Sequence, residues 1–304
     1  MRDQNLNAEL RAILAPEDIL EQEPMKKHTT FQAGGPARYF VCPRDTDSLR
    51  QVIALCRREQ MPYYILGKGS NLLVSDKGFD GVMIYLPKYF SKMAVEGCRI
   101  CAGAGVSLPA LSVEAWKHGL GGLEFAAGIP GCVGGGCVMN AGAYGGTLSQ
   151  VIREAKVLTE DGSVQVLSVE ELELGYRTSC IPAKGYIVLE CLFELQPRDK
   201  EAIRADMDYY NEQRRKKQPL DKGSAGSTFK RPAGYFAGKL IDDAGLRGYT
   251  WGRAAVSEKH CGFVVNLGGA TAQEIWELCN QVRQKVKELF QVELELEVKT
   301  LGEF

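Results

Sequence analysis

Gly121–Gly146 reads GGLEFAAGIPGCVGGGCVMNAGAYGG, with ten glycines and almost no charge. Glycine and proline at this density exclude a single helix or strand. Clustered glycines let the backbone take φ > 0 and let a flat or phosphorylated ligand approach the main chain, because no Cβ intervenes. A flexible linker is the bland alternative. Linkers are polar and serine-rich, whereas this run carries Leu123, Phe125, Ile129, Val133, Val138 and Met139, which require a core. The stretch reads as a cradle for a nucleotide cofactor.

A second glycine turn lies upstream, where the strand YYIL runs into GKGSN, residues 67–71. Backbone amides of Gly67, Lys68, Gly69, Ser70 and Asn71, with the Ser70 hydroxyl, suit a phosphate oxygen. The turn matches neither a Walker loop nor GxGxxG, so a Rossmann domain is not supported. Two such turns flanked by apolar strand favour a pyrophosphate-bearing cofactor held by main-chain amides.

Outward from these loops the chain alternates. Residues 4–21 read as a first helix broken near Pro16, followed by a strand and glycine turn after His28 and a strand over 37–41. A helix capped by Asp45 or Thr46 precedes YYIL, giving a βαβ-like start. Strands are expected over 82–86, 93–96 and 99–102, then a helix opened by Val106 or Ser107 and ended by Gly119. Beyond the cradle come a hairpin turning at Asp161-Gly162 and a strand YIVLECLFEL. A solvated helix, DKEAIRADMDYYNEQRRKKQP, ends at Pro219. In TAQEIWELCNQVRQKVKELF, Ile275, Leu278, Val282, Val286 and Leu289 should face inward. The tail VELELEVKTLG alternates as a strand should, with Glu293, Glu295, Glu297 and Lys299 on its polar face.

The chain has 304 residues and a net charge of -1, enough for two or three domains and without a global pull towards nucleic acid or anionic membrane. No signal peptide or bilayer-spanning run is visible, so a cytoplasmic protein is expected. Ten scattered cysteines fit reduced, mostly buried thiols. Cys98 and Cys101 form a CxxC, but no second CxxC or close histidine accompanies it. His28, His118 and His260 are far apart in sequence, so no metal site is expected.

Three further spots hold reactive residue types. Arg177 in GYRTS suits a carboxylate or enolate, because arginine is permanently charged and binds carboxylate bidentately. Ser227 in AGSTF suits proton donation if a neighbour assists it, and Glu297 lies in the last strand. Taken singly, each is better explained as a surface arginine, a turn serine or a solvated glutamate.

Together the motifs are more specific. TTFQAGGPARYF, LGKGSNLLVSD, AGIPGCVGGGCVMNAGAYGG, GYRTS, AGSTFKRP, AGKLIDDAGLRG and LELEVKTLG, in this order, resemble the UDP-N-acetylenolpyruvoylglucosamine reductase (MurB) family of peptidoglycan synthesis, from about residue 25 to the end. The resemblance implies an α+β flavoprotein with a two-part FAD-binding region of the vanillyl-alcohol-oxidase-like (PCMH) type and a C-terminal α+β substrate-binding domain. The expected parts are 1–85, to which 291–304 returns, then 86–200, both holding FAD, and 201–290 for substrate. It implies that NADPH reduces noncovalent FAD and leaves. Hydride then passes from flavin N5 to C3 of the enolpyruvyl group of UDP-N-acetylglucosamine enolpyruvate.

By the same resemblance, Arg177 and Glu297 stabilise the enolate and Ser227 protonates C2. The cofactor residues are those of the first turn together with Ala127, Gly128, Ile129, Gly131, Cys132, Gly134, Gly135, Asn140 and Ala141. Tyr144, Tyr176, Lys217 and His260 are expected to contact substrate. A monomer or weak homo-oligomer, with no nucleic-acid or membrane partner, is expected. Cys132 departs from the family's usual Ser or Thr, and Arg231 stands where many members have Asn. The short interval from Arg177 to Ser227 resembles type II members, which lack an inserted loop that folds a tyrosine over the substrate. The competing reading is an FAD-dependent oxidase of the same superfamily acting on a small alcohol or sugar. It shares the glycine cradles without requiring Arg177, Ser227 and Glu297 together. A colourless nucleotide-binding regulatory module is the non-enzymatic alternative.

Overall fold

The computed structural model describes residues 2–304, with side chains described from Leu6 onward. Met1, the first residue of the expected 1–85 part, lies outside the described residues. In chain order the elements are α1 (Arg2–Ile13), β1 (Ile19–Pro24), β2 (Pro36–Val41), α2 (Thr46–Arg58), β3 (Tyr63–Leu66), β4 (Leu72–Val74) and β5 (Phe79–Tyr85). There follow β6 (Met93–Glu96), β7 (Arg99–Gly103), α3 (Leu108–Lys117), β8 (Leu120–Gly121), α4 (Val133–Val138), β9 (Gly142–Ala143) and β10 (Gly146–Thr147). Then come β11 (Ile152–Leu158), β12 (Val164–Ser168), β13 (Ile187–Glu194), β14 (Gln196–Pro197), α5 (Lys200–Lys217) and α6 (Ala237–Asp243). The last are β15 (Thr250–Trp251), β16 (Ala254–Val256), β17 (Val264–Asn266), α7 (Ala272–Phe290) and β18 (Lys299–Leu301). The mixed α+β architecture is the one expected.

The chain forms two compact units. The first holds residues up to Glu21, Tyr39–Lys68 and Gly81–Gln213; the second holds Gln22–Arg38, Gly69–Asp80 and Arg214–Phe304. The division falls inside the first glycine turn, between Lys68 and Gly69.

Local chemistry explains most of the first unit. Asp45 caps α2, accepting from the Ser48 amide while the Ser48 hydroxyl receives the Asp45 amide. The helix buries Leu49, Val52, Ile53, Leu55 and Cys56 on one face. Strands β1, β2, β5 and β3 lie in that order, with β3 parallel to β5, so β5 separates the two strands that α2 connects. The larger sheet, ordered β12-β11-β13-β7-β6, is antiparallel. Gly162 at φ 83 turns its β11–β12 hairpin. Phe193, Ile100, Leu108 and Leu111 anchor the core there, each burial contributing about 1.5–3 kcal/mol. Helix α4 packs closely because a Cβ on Gly134 would lie 2.9 Å from Ala104 Cβ, and one on Gly136 2.9 Å from Leu148 Cδ1.

In the second unit, Thr271 and Glu274 form a capping box on α7. The Asp76 carboxylate accepts the next amides, from Ala272 and Gln273, at 2.8 and 2.8 Å, satisfying donors the helix leaves unpaired. Ile275, Leu278, Val282 and Val286 face the core.

Four local expectations are corrected. Ile19 and Leu20 open β1 instead of extending the first helix, because Pro16 cannot donate to the preceding turn. No strand forms over 29–35: Thr29 Oγ1 donates to Ala33 O and Gln32 sits at φ 56, curling the backbone. Leu289 is 51% exposed, and in this last turn Phe290 packs on the core instead. The tail keeps its alternating burial, but only β18 pairs as a strand, parallel to β4. Upstream of it the tail makes one isolated bridge, Leu296 to Phe229, because its neighbour there is too irregular to carry a ladder.

Candidate active site

In the first unit the two glycine turns meet at one sulfur. A Cβ on Gly67 would lie 2.5 Å from Cys132 Sγ, with no other atom close. The thiol is 3% exposed, and burial pushes its pKa up. The amides of Gly135 and Lys68, which donate to the sulfur, and the Lys68 charge oppose that rise. Two further amides at the start of α4 are committed to the protein: Val133 N donates to Val106 O and Gly134 N to Ala104 O, both at 2.8 Å.

The surroundings fit an FAD. A Cβ on exposed Gly135 would meet nothing nearer than Cys132 Sγ at 3.8 Å, leaving the space above α4 open. Ala127, Gly128, Ile129 and Gly131 are half-exposed, and Lys68 is exposed. Chemically this is a main-chain surface with one cation, suited to a dinucleotide.

A second constellation of this unit surrounds Arg177. Asn140, Tyr144 and Arg177 all lie in the left-handed region, at φ 42, 53 and 55. Such backbone is uncommon for non-glycine residues and concentrates at functional sites. Arg177 is half-buried, its Nη2 donates to Gly142 O at 3.4 Å, and its guanidinium lies 5.3 Å from the ring centroid of exposed Tyr176. Tyr144 stacks on Tyr210, centroids 5.0 Å apart and planes at 16°. Sequence reasoning missed Tyr210. The adjacent tyrosines Tyr209 and Tyr210 on a solvated helix were the only available signal.

In the second unit, backbone bonds tie the segments of Ser227, Glu297 and His260 together, and Lys217 ends α5. Ser227 is exposed between Gly226, at φ 75, and the buried pair Thr228 and Phe229. Thr228 is pinned three ways: its amide donates to Gly262 O (2.8 Å), its Oγ1 accepts Val264 N (2.9 Å), and its carbonyl accepts Glu297 N (2.9 Å). Through these bonds the serine turn, the His260–Gly262 turn and the Glu297 segment share one backbone frame.

Asn71 holds that frame from the far side, donating Nδ2 to Glu297 O at 3.1 Å and accepting Lys299 N at 3.1 Å. Glu293 and Glu295 are exposed and paired with Lys287 and Lys230. Glu297 on the same face is half-buried. Burial lowers the His260 pKa, with the Arg247 charge acting in the same direction against a backbone hydrogen bond, so the ring stays neutral. Its Nδ1 accepts Gly262 N at 3.1 Å. Lys217 is exposed at the end of α5, and Lys259 Nζ ties that end to the His260 turn by donating to Arg215 O. Gly69 is fixed nearby, since a Cβ there would lie 1.9 Å from His28 O. Ser70 is half-exposed.

Glycine turns shaped for a dinucleotide, in a chain that also presents a serine and a half-buried glutamate on a rigid frame, define a flavin-dependent oxidoreductase. Residues 37–168 match a family model described as an FAD binding domain, and residues 218–301 match one described as UDP-N-acetylenolpyruvoylglucosamine reductase, C-terminal domain. The UDP-N-acetylenolpyruvoylglucosamine reductase of Lachnoclostridium phytofermentans is 49% identical over 299 residues, covering 97% of this chain and 96% of that protein. That of Clostridium botulinum (strain Langeland) is 50% identical over 299 residues, covering 98% and 97%. A crystal structure of UDP-N-acetylenolpyruvylglucosamine reductase (MurB) from Thermus caldophilus superposes with a TM-score of 0.80 at 38% identity, covering 93% of this chain and 98% of that one. The chain belongs to the UDP-N-acetylenolpyruvoylglucosamine reductase family.

Proposed function

We propose that this chain reduces UDP-N-acetylglucosamine enolpyruvate to UDP-N-acetylmuramate, consuming NADPH, in peptidoglycan precursor synthesis. The observation that carries this reading is the Ser227–Thr228–Glu297 frame. It holds an exposed hydroxyl and a half-buried carboxyl on one backbone, a pairing that a nucleotide-binding module does not require. FAD, when bound, would supply hydride transfer from NADPH to the enolpyruvyl group. We assign its noncovalent binding to the 67–71 turn and to Ala127, Gly128, Ile129, Gly131, Cys132, Gly134, Gly135 and Ala141, with Asn140 contributing through its main chain alone because its side chain is bonded within the protein. Residues 1–85 and 86–200 form the cofactor region, to which 291–304 returns, and 201–290 the substrate domain.

In this assignment Arg177 stabilises the negative charge that hydride addition builds on the carboxylate-bearing carbon. A fixed cation there contributes several kcal/mol because it needs no reorganisation. Glu297 acts on the same enolate as a protonated carboxyl that donates a hydrogen bond, since an ionised carboxylate only accepts and would repel the charge. Ser227 donates the proton to C2; a free hydroxyl is a weak acid, so it requires an assisting neighbour or water. Lys217, Tyr144, Tyr176 and neutral His260 line the substrate. No helix among the described residues is long and apolar enough to cross a membrane. We assign a cytoplasmic setting on the strength of the proposed reaction. We assign a monomer or weak homo-oligomer.

An anaerobic two-step assay tests this. NADPH should bleach the flavin, and the UDP enolpyruvyl sugar should restore its absorbance. Reoxidation by O2 alone, with a sugar alcohol as effective reductant, would overturn the assignment.

A further inference from the structure

Asn140 was expected among the cofactor residues, yet its side chain is spent inside the protein. It is 6% exposed. Its amide nitrogen donates to Gly175 O at 3.0 Å and to Ser149 Oγ at 3.3 Å, and its Oδ1 accepts Ser149 N at 2.9 Å. An asparagine amide has two donor hydrogens, and both are engaged. Gly175 in turn opens the tight turn that presents Arg177, closed by Gly175 N donating to Thr178 O at 3.2 Å. The other flank of that turn is held from the same segment, Ser179 Oγ donating to Val138 O at 2.9 Å. Val138 and Asn140 thus grip Gly175 and Ser179 on either side of Arg177, whose backbone is held at φ 55.

Building on the role proposed for Arg177, we infer that Asn140 is a positioning residue for that arginine, acting on the reaction through the Gly175–Ser179 turn and not through a side-chain bond to the cofactor. Asparagine suits the place because it tolerates φ > 0 and reaches across to a neighbouring carbonyl. Misplacing a stabilising charge by about 1 Å costs on the order of 100-fold in rate, so a small shift of the turn is enough.

The decisive variant is Asn140→Gly, which keeps the left-handed backbone and removes only the side chain. The step in which the UDP enolpyruvyl sugar reoxidises the reduced flavin should slow about 10- to 100-fold. Flavin reduction by NADPH, and FAD affinity measured by fluorescence quenching on reconstitution, should each stay within about threefold. In an Arg177→Ala background the same substitution should add less than about twofold. A multiplicative loss there, an equal loss in both half-reactions, or FAD affinity falling while reoxidation is unchanged would each overturn the inference. Ser179→Ala, which loosens the opposite flank, should slow reoxidation in the same selective way and serves if Asn140→Gly does not hold FAD. Hydrogen exchange in the peptide covering 174–180 reads the turn without any substrate. It should quicken in Asn140→Gly, and wild-type protection there would sink the inference even if the proposed reaction stands. Absence of reoxidation in the wild type would instead count against the reaction alone.

Discussion

The glycine cradle of the first unit and the Ser227–Glu297 frame of the second reach function by opposite means. In the cradle, function is associated with missing side chains, yet much of the glycine serves the protein itself: Gly134 admits Ala104, Gly136 admits Leu148, and a Cβ on Gly146 would strike Phe125 at 2.4 Å. In the frame, the proposed function rests on side chains, and the backbone around them is locked by Thr228 and Asn71. The cradle should therefore be sensitive to added atoms, and the frame to removed ones.

The largest effect expected from this contrast is at Ser227. Ser227→Ala removes one exposed hydroxyl from a rigid turn, so flavin reoxidation by the UDP enolpyruvyl sugar should slow about 10²- to 10⁴-fold while reduction by NADPH persists in stopped-flow traces. Comparable loss in both steps would make the serine structural.

Glu297→Gln should slow the same step about 10²-fold. Glu295→Gln, two residues away and exposed in a pair with Lys230, should leave turnover unchanged. Equal behaviour of the two glutamates would erase the distinction that half-burial draws between them.

Adding an atom to the cradle is the reciprocal experiment. Gly67 does not sit at positive φ, and the sulfur of Cys132 is the obstacle to a Cβ there. Gly67→Ala should lower the melting temperature of the apoprotein by roughly 3–8 °C and weaken FAD binding, as overpacking of a buried contact does. Cys132→Ala in the same chain should restore much of the loss by removing the sulfur. Additive damage in the double variant would show that the two turns are not coupled there.

The smallest effect is a pH dependence at His260. Its folded pKa lies below the ordinary value of about 6.5, so the unfolded chain takes up a proton more readily. The stability tied to the neutral ring is complete above about pH 6.5 and declines as pH falls towards the folded value. A melting-temperature profile should flatten over that window in His260→Asn; an unchanged slope would assign the dependence to other groups.

Much of this was legible beforehand. Asp45 and Ser107, each one of two candidates for opening its helix, proved to be the caps, because a short polar side chain before an apolar repeat satisfies amides locally. The hairpin at Gly162 and the two glycine turns were equally local signals. Less was legible where the partner is remote. Apart from the family motif, nothing in the local alternation of VELELEVKTLG distinguishes Glu297 from Glu293 and Glu295, and the backbone bonds that hold its segment come from Thr228 and Asn71, far away in sequence. Likewise, Asn140 in MNAGAYGG gives no sign that its amide reaches Gly175.

The sequence alone determined which backbone conformations and caps are available, and through the order of its motifs, the family. Those choices rest on propensities and spacings that neighbouring residues settle among themselves. Tertiary structure alone decided which glycines make room for a neighbouring side chain, which glutamate of three is withdrawn from water, and that one buried sulfur meets the amides of both turns. Burial and close approach are set by residues tens to hundreds of positions apart, and no local pattern encodes them.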